Sequence, residues 1–405
     1  MSDSSNHAIV FGASGLIGWA IVDQLLRGYP RLGSFSKITA VTNRPLNTSE
    51  SLWPTDSDQP DLQLVSGIDL LKGDGATLAS SLMQAVENIE SVTHIYYLAI
   101  EDDIEEVAIN RCMFQNVVDA HTTLSPNLQF VAFAGGTRGY GIYTPGGTFT
   151  PPLTEDMVKN LPPDYAKTVV YPAYRELLSA ASKGKRWTWC EVCPDAIFSL
   201  ALHWAQYLSL YAFMHGVGPF TTEAATSPVE VPFPGNAAGA NSLFSPVSSA
   251  TIARFMIYAS LHPETCGGGR LFNVADNETP CKYGEIWPHL AKWFGLVGVG
   301  PVTEKASTPD NSMGAGQLPE STSLLPPGEY VTKYRSVFIQ NGRENAATRG
   351  VGAGHRQLDS VGYWLTFDRQ LSITKLRETG FEGDKNPVQG WLSVFEMFRK
   401  AGLIL

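Results

Sequence analysis

The chain has 405 residues, 43% of them hydrophobic, which suffices for a large core or for a core with a smaller lobe. Its formal net charge is −10 with no basic block, which argues against nucleic acid and anionic membrane as partners. No apolar run approaches membrane-spanning length, the polar N-terminus shows no signal or transit pattern, and a cytoplasmic protein is expected.

Ala8–Phe11 reads as a first strand, followed by Gly12-Ala13-Ser14-Gly15-Leu16-Ile17-Gly18 and an amphipathic stretch to Leu26. Ile17, Ile21 and Leu25 recur at i, i+4 and i+8 on one helix face. Strand, glycine turn and helix together build a dinucleotide pyrophosphate site, because glycines admit a sharp turn and the helix N-terminus offers unpaired N–H groups. Gly12, Ser14, Gly15, Leu16, Ile17 and Gly18 are therefore assigned to cofactor binding. The second strand, Lys37–Val41, runs into Thr42-Asn43-Arg44-Pro45. NAD-binding versions of this fold carry an acid there for the ribose 2′-OH. Here Arg44 stands in its place, where a guanidinium can pair with a 2′-phosphate, so NADP(H) is the expected cofactor. Thr42 and Asn43 are assigned to the same end of it. After a third strand, Leu62–Val65, Asp69 and Leu70 fall where such folds bond the adenine amino group. A helix N-cap is an equally fair reading of Asp69.

Further strands are expected at His94–Leu98, Gln129–Ala134, Trp187–Val192 and Leu271–Ala275, with helical patterns between them. The alternation predicts an α/β fold: a Rossmann-type doubly wound parallel sheet with a smaller, mainly helical substrate-covering lobe. The Rossmann core is assigned to residues 1–200, completed by roughly 246–280. Residues 201–245 and 281–405 are assigned to the lobe, with helices at Ala201–Gly216, Tyr283–Gly295 and Val388–Ala401. Pro301–Pro327 reads as a loop, and Asn341–Gly354 as a surface excursion with Gly342, Gly350, Gly352 and Gly354. Cys190-Glu191-Val192-Cys193 matches C-x-x-C but lies in a strand-like run without a second pair, so these thiols are expected to be buried and idle. The eight histidines show no metal spacing, and no metal is expected.

Several longer strings narrow the choice among dehydrogenase relatives. They are Ile9-Val10-Phe11-Gly12-Ala13-Ser14-Gly15, Val41-Thr42-Asn43-Arg44-Pro45-Leu46, Leu64-Val65-Ser66-Gly67-Ile68-Asp69-Leu70 and Lys183-Gly184-Lys185-Arg186-Trp187-Thr188-Trp189-Cys190-Glu191-Val192. Phe272-Asn273-Val274-Ala275-Asp276 and Leu365-Thr366-Phe367-Asp368-Arg369-Gln370 follow. Over nearly its whole length the chain resembles the fungal branch of the progesterone 5β-reductase/iridoid synthase-like family of atypical extended short-chain dehydrogenases. The resemblance implies NADPH and reduction of activated carbon–carbon double bonds of enones and enals, with some members acting on cyclising terpenoids. It places the family's catalytic tyrosine on Tyr171, in Val170-Tyr171-Pro172, and its lysine on Arg138, in Gly135-Gly136-Thr137-Arg138-Gly139-Tyr140. The tyrosine preceding the catalytic one has become Val170, and Cys193 stands where relatives often carry arginine.

Three functions remain open at this point. The first is an NADP(H)-dependent oxidoreductase of secondary metabolism. It would transfer hydride to a conjugated carbonyl, imine or iminium of a bulky hydrophobic natural-product intermediate. Tyr171 would serve the developing oxyanion and Arg138 would supply charge without proton relay. The second is a cofactor-assisted or redox-neutral cyclase, isomerase or cycloaddition catalyst on the same scaffold. The third is a non-catalytic NADP-binding regulator. Tyr140, Trp204, Tyr207 and Tyr211, with Phe213 and Met214, are the expected substrate wall. A homodimer is compatible with the sequence.

Overall fold

Seven parallel strands form the central sheet in the order β3-β2-β1-β4-β5-β6-β9. They are β1 (Asn6–Phe11), β2 (Phe35–Thr42), β3 (Asp61–Ser66), β4 (His94–Tyr97), β5 (Phe130–Ala134), β6 (Thr188–Pro194) and β9 (Arg270–Val274). The expected strands thus all form, with ends displaced by a residue or two. The computed structural model describes residues 6–55, 60–101, 105–195, 198–218, 225–302, 325–350, 362–363, 365–383 and 385–405.

Strand alternation feeds two separate cores. Along β1, Ala8 and Val10 pack under the helices Leu16–Leu26 and Ser249–Leu261. Ile9 and Phe11 face the helices Gly75–Ala85, Glu106–Leu124 and Tyr171–Ser182. Both faces are apolar, so neither can be left to water; each buried Val, Ile, Leu or Phe contributes about 1.5–3 kcal/mol. The order reverses between β1 and β4, which pair with Ala8 opposite His94 and Phe11 opposite Tyr97. Such a reversal opens a crevice beyond the carboxyl ends of the strands, where ligands bind in this class of fold.

A third core lies outside the sheet. The helix Phe198–Met214 supplies Trp204, Tyr207 and Tyr211 to it, and the helix Tyr283–Trp293 supplies Tyr283, Ile286 and Trp287. Trp391 and Phe395 on the helix Pro387–Lys400 close it. Two small sheets brace this region: β7 (Glu230–Pro232) with β11 (Val297–Val299), and β8 (Leu243–Phe244) with β10 (Cys281–Lys282). Within the stretch read as lobe, Ile373, Leu376 and Phe381 pack instead with the sheet core.

The expected surface excursion is corrected over its described part. Residues Glu344–Thr348 form a helix whose Ala346 and Ala347 are buried. Gln206 Nε2 donates to the carbonyls of Ala346 and Arg349, both at 3.0 Å. A low-apolar segment is held here by capture of its backbone, a contact its composition does not announce. Gly352, Gly354 and most of Pro301–Pro327 lie outside the described residues.

Candidate active site

The glycine turn after β1 is fixed by backbone contacts on two sides. Ala13 N–H donates to Val41 O at 3.1 Å, and Leu98 N–H donates to Phe11 O at 3.0 Å. Gly12 adopts φ +77°, and a Cβ there would stand 2.8 Å from the backbone of Leu98 and Ala99. A Cβ on Gly18 would strike the Gly12 carbonyl. Gly12 therefore serves the turn and Gly18 the close approach of helix to strand. Ser14 and Gly15 are exposed, and Leu16 and Ile17 half-buried. Gly15 caps the helix Leu16–Leu26 without any side-chain cap, and the first turn carries no acid. The free N–H groups and positive dipole end of this helix suit an anion, so the residues present fit a dinucleotide pyrophosphate.

The ends of β2 and β3 lie side by side. Thr42 Oγ1 donates to the Arg44 carbonyl at 2.8 Å and lies 3.1 Å from Ser66 Oγ, while Ile68 N–H donates to Thr42 O at 3.2 Å. Asn43 and Arg44 are exposed, and the Arg44 guanidinium has no ion-pair or hydrogen-bond partner among the described residues. An unpaired guanidinium at this edge fits a 2′-phosphate. Asp69 is exposed and accepts from Leu71 N–H at 2.9 Å; Leu70 beside it is buried. The N-cap alternative for Asp69 is corrected: Asp74 caps the helix Gly75–Ala85, accepting from Thr77 N–H at 2.9 Å.

Tyr171 opens the helix Tyr171–Ser182, with Pro172 in its first turn. The residue is 8% exposed, and its hydroxyl makes no hydrogen bond among the described residues. The hydroxyl lies over the loop after β5: a Cβ on Gly136 would stand 2.9 Å from it, and a Cβ on Gly139 3.2 Å from the ring. Burial pushes the Tyr171 phenol well above its ordinary pKa, against the opposing charge of Arg138. Arg138 lies on the short helical turn Thr137–Tyr140. Its Nη1 and Nη2 donate to the two carboxylate oxygens of Glu106 at 2.8 and 3.0 Å, a forked pair. Its Nε is buried without a partner, and Tyr143 lies under the guanidinium at 5.4 Å. Burial opposes the charge on Arg138, but the Glu106 hydrogen bonds and charge outweigh it and raise its pKa.

Glu106 escaped the sequence reading, as did the contacts behind the loop. Thr137 Oγ1 donates to Asp195 Oδ1 at 3.1 Å. The other Asp195 oxygen lies 3.8 Å from Nε of Arg369, and both side chains are buried. Arg369 in turn covers Phe244 at 5.3 Å and Tyr283 at 5.8 Å. This chain of contacts joins the loop after β5 to the third core. A buried acid and a buried arginine so distant in sequence leave no local signal.

The expected aromatic wall is corrected in part. Tyr140 is 0% exposed and donates its hydroxyl to Asn273 Oδ1 at 2.6 Å, so it is core packing. Trp204 is 1% exposed and packs on Phe233, Tyr283 and Trp287. Tyr211 stacks on His215 and bonds the Glu230 carbonyl at 3.2 Å. Tyr207 alone of the four borders a cavity of about 310 Å³, with Phe233, Asn236 and Tyr363 among its lining. Phe213 borders a separate cavity of about 230 Å³, and Met214 is 40% exposed. Cys190 and Cys193 join different cores, and burial pushes both thiols up. Among the described residues no group of His, Cys, Asp and Glu could hold a metal, and no helix is long and apolar enough to cross a membrane.

Comparison with known proteins places this geometry. A PRISE-like Rossmann-fold domain matches residues 8–405. The short chain dehydrogenase ausT of Aspergillus calidoustus is 29% identical, over 100% of this chain and 96% of that protein. An (S)-8-oxocitronellyl enol synthase, CYC1 of Camptotheca acuminata, is 25% identical over 90% of this chain and 92% of its own. The solved UDP-glucuronic acid 4-epimerase of Bacillus cereus shares the fold at 12% identity, with TM-score 0.55 over 97% of this chain and 99% of that one. The chain belongs to the PRISE-like Rossmann-fold family and is an enzyme of the short-chain dehydrogenase type.

Proposed function

We propose that the chain is an NADP(H)-dependent reductase of secondary metabolism, acting on a conjugated carbonyl, imine or iminium of a bulky hydrophobic intermediate. The observation that carries this reading is the Tyr171 hydroxyl, unengaged, over Gly136 at the carboxyl edge of the sheet. Bound NADPH would supply hydride to the carbon β to the carbonyl. As the double-bond pair shifts, negative charge collects on the carbonyl oxygen, and Tyr171 donates a hydrogen bond to it. Gly12, Ser14, Gly15, Leu16, Ile17 and Gly18 hold the pyrophosphate, Arg44 with Thr42 and Asn43 the 2′-phosphate, and Asp69 with Leu70 the adenine. In this reading residues 1–200 with 246–280 form the dinucleotide-binding unit, and 201–245 with 281–405, apart from the stretch of Ile373, Leu376 and Phe381 that packs with the sheet core, cover the substrate, Tyr207 contributing to the wall.

The test is Tyr171→Phe. Turnover falls on the order of 10²-fold with little change in NADPH affinity, because the hydroxyl matters only as charge develops. Unchanged turnover with an enal or enone would remove Tyr171 from the chemistry.

A second reading is favoured by one observation: both Nη ends of Arg138 are taken by Glu106. A site whose cation is already neutralised suits a redox-neutral cyclisation or isomerisation as well as a reduction. The relative named (S)-8-oxocitronellyl enol synthase keeps that reading in view. Net consumption of NADPH separates the two.

A further inference from the structure

The strands β2 and β3 end side by side, with Thr42 opposite Ser66. Thr42 Oγ1 lies 2.8 Å from the Arg44 carbonyl and 3.1 Å from Ser66 Oγ, and Leu46 N–H donates to Ser66 Oγ at 3.3 Å. A hydroxyl has one hydrogen, and a carbonyl can only accept. Thr42 therefore gives its hydrogen to the Arg44 carbonyl, and Ser66 supplies the one between the two hydroxyls. The hydrogen bonds run in one direction, from Leu46 N–H through Ser66 and Thr42 to the Arg44 carbonyl.

This run closes around the Arg44 main chain. Thr42 holds its carbonyl, and Ser66 holds the next available N–H, that of Leu46. Between them Pro45 has a fixed φ and restricts Arg44 to extended backbone. The far end of the same loop is tied as well. Trp19 Nε1 donates to the Ser51 carbonyl at 2.6 Å, and Trp53 Nε1 donates to the Trp19 carbonyl at 3.2 Å. Trp19 lies in the first turn of the helix Leu16–Leu26, whose N-terminus fits the pyrophosphate. The stretch from Arg44 to Trp53 is thus fastened to β3 at one end and to the pyrophosphate helix at the other. These bonds engage main-chain groups of the loop and leave the Arg44 guanidinium unengaged among the described residues.

We propose that Ser66 is a positioning residue for cofactor choice: through Thr42 and Leu46 it fixes the turn that carries Arg44, so that the guanidinium meets a ribose 2′-phosphate from a loop already ordered. A loop fixed before the nucleotide arrives loses less conformational freedom on binding. The gain falls on the nucleotide that uses Arg44, which is NADPH, and not on NADH, which has no 2′-phosphate. The proposal rests on the reading that Arg44 holds that phosphate.

The test is calorimetric titration of the full chain with NADPH and with NADH. The proteins are wild type, Ser66→Ala, Ser66→Thr, Arg44→Ala and the double variant of Ser66→Ala with Arg44→Ala. Ser66 is exposed, so Ser66→Ala removes the hydroxyl without opening a cavity. Ser66→Ala weakens NADPH about three- to tenfold, the worth of one hydrogen bond, and leaves NADH unchanged. Ser66→Thr keeps the hydroxyl and restores the wild-type affinity. Added to Arg44→Ala, Ser66→Ala has no further effect on NADPH, because the two act on one contact. Unchanged NADPH affinity in Ser66→Ala would overturn the proposal. So would equal weakening of both nucleotides, which marks a general structural role, or the same NADPH loss with and without Arg44. A wild type that binds both nucleotides equally would defeat the reading of Arg44 and the proposal with it. A wild type that prefers NADPH, with that preference intact in Ser66→Ala, would defeat the proposal alone.

Discussion

Arg175 donates to Glu191 through Nε at 2.5 Å and Nη2 at 3.0 Å, and the Glu191 side chain is 1% exposed within β6. Arg175 lies one helical turn beyond Tyr171, so the pair fastens the first turns of that helix to the sheet. A Cβ on Gly135 would strike Glu191, so the loop that carries Arg138 passes directly over the pair. Burial still raises the Glu191 carboxyl above its ordinary pKa, with Arg175 pulling the other way. Removing one partner strands a charge in the core. Arg175→Met is therefore expected to cost about 3–5 kcal/mol in urea unfolding, and Arg175→Met with Glu191→Met to recover most of that loss. A double variant as unstable as the single one would show that geometry, not the stranded charge, sets the cost.

The periodicity of this chain exposes its frame and hides its joints. Ala8–Phe11, the glycine turn and the run Ile17, Ile21, Leu25 are local patterns, so the strand, turn and helix could be read directly. Tyr171 is different: the family resemblance singles it out, and the local pattern, a helix start before Pro172, only agrees with it. Glu106 with Arg138, Arg175 with Glu191, and Asp195 with Arg369 depend on which loops meet in space. Glu191 gave one hint, a charged residue inside an otherwise apolar strand. Tyr140 and Trp204 erred the other way: aromatic content announces burial, and does not say whether the far side is a cavity or more protein.

Arg44 provides a test of cofactor choice. It is exposed at the end of β2 and unpaired among the described residues, while Thr42 holds its carbonyl. A charge-assisted pair with a 2′-phosphate exceeds the ~1.4 kcal/mol that tenfold discrimination requires. NADPH should therefore bind at least about tenfold tighter than NADH, and Arg44→Ala should remove most of that gap while leaving NADH affinity unchanged. Calorimetric titration of both nucleotides decides it; equal affinities in the wild type would dismiss the argument.

His121 gives a pH dependence. It is 1% exposed on the helix Glu106–Leu124, edge-on to Phe11. Burial, and then the nearby His7, pull its pKa from 6.5 down to about 3. The folded value lies below the unfolded one, so the unfolded chain takes up this proton first. The contribution is complete above about pH 6.5 and is lost as pH falls towards 3. His121→Gln lacks it, so the Tm advantage of wild type over His121→Gln should shrink between pH 7.5 and pH 5. Parallel Tm curves for the two proteins would contradict this.

Arg138→Lys distinguishes the two functional readings. Arginine here makes a forked pair with Glu106 and keeps Nε buried and unpartnered. Lysine replaces the fork with a point charge, which can still meet Glu106 and, unlike guanidinium, can release a proton. If the site is a reductase, Arg138→Lys should preserve or raise hydride transfer, and product should appear in step with NADPH loss in both proteins. If the site steers a cyclisation, the planar guanidinium fixes how the substrate sits, and Arg138→Lys should broaden the product distribution without changing net cofactor use. NADPH absorbance and product profile, measured side by side on one candidate substrate, read both outcomes. Wild-type product formed without net NADPH loss would overturn the reductase reading and leave the redox-neutral one standing.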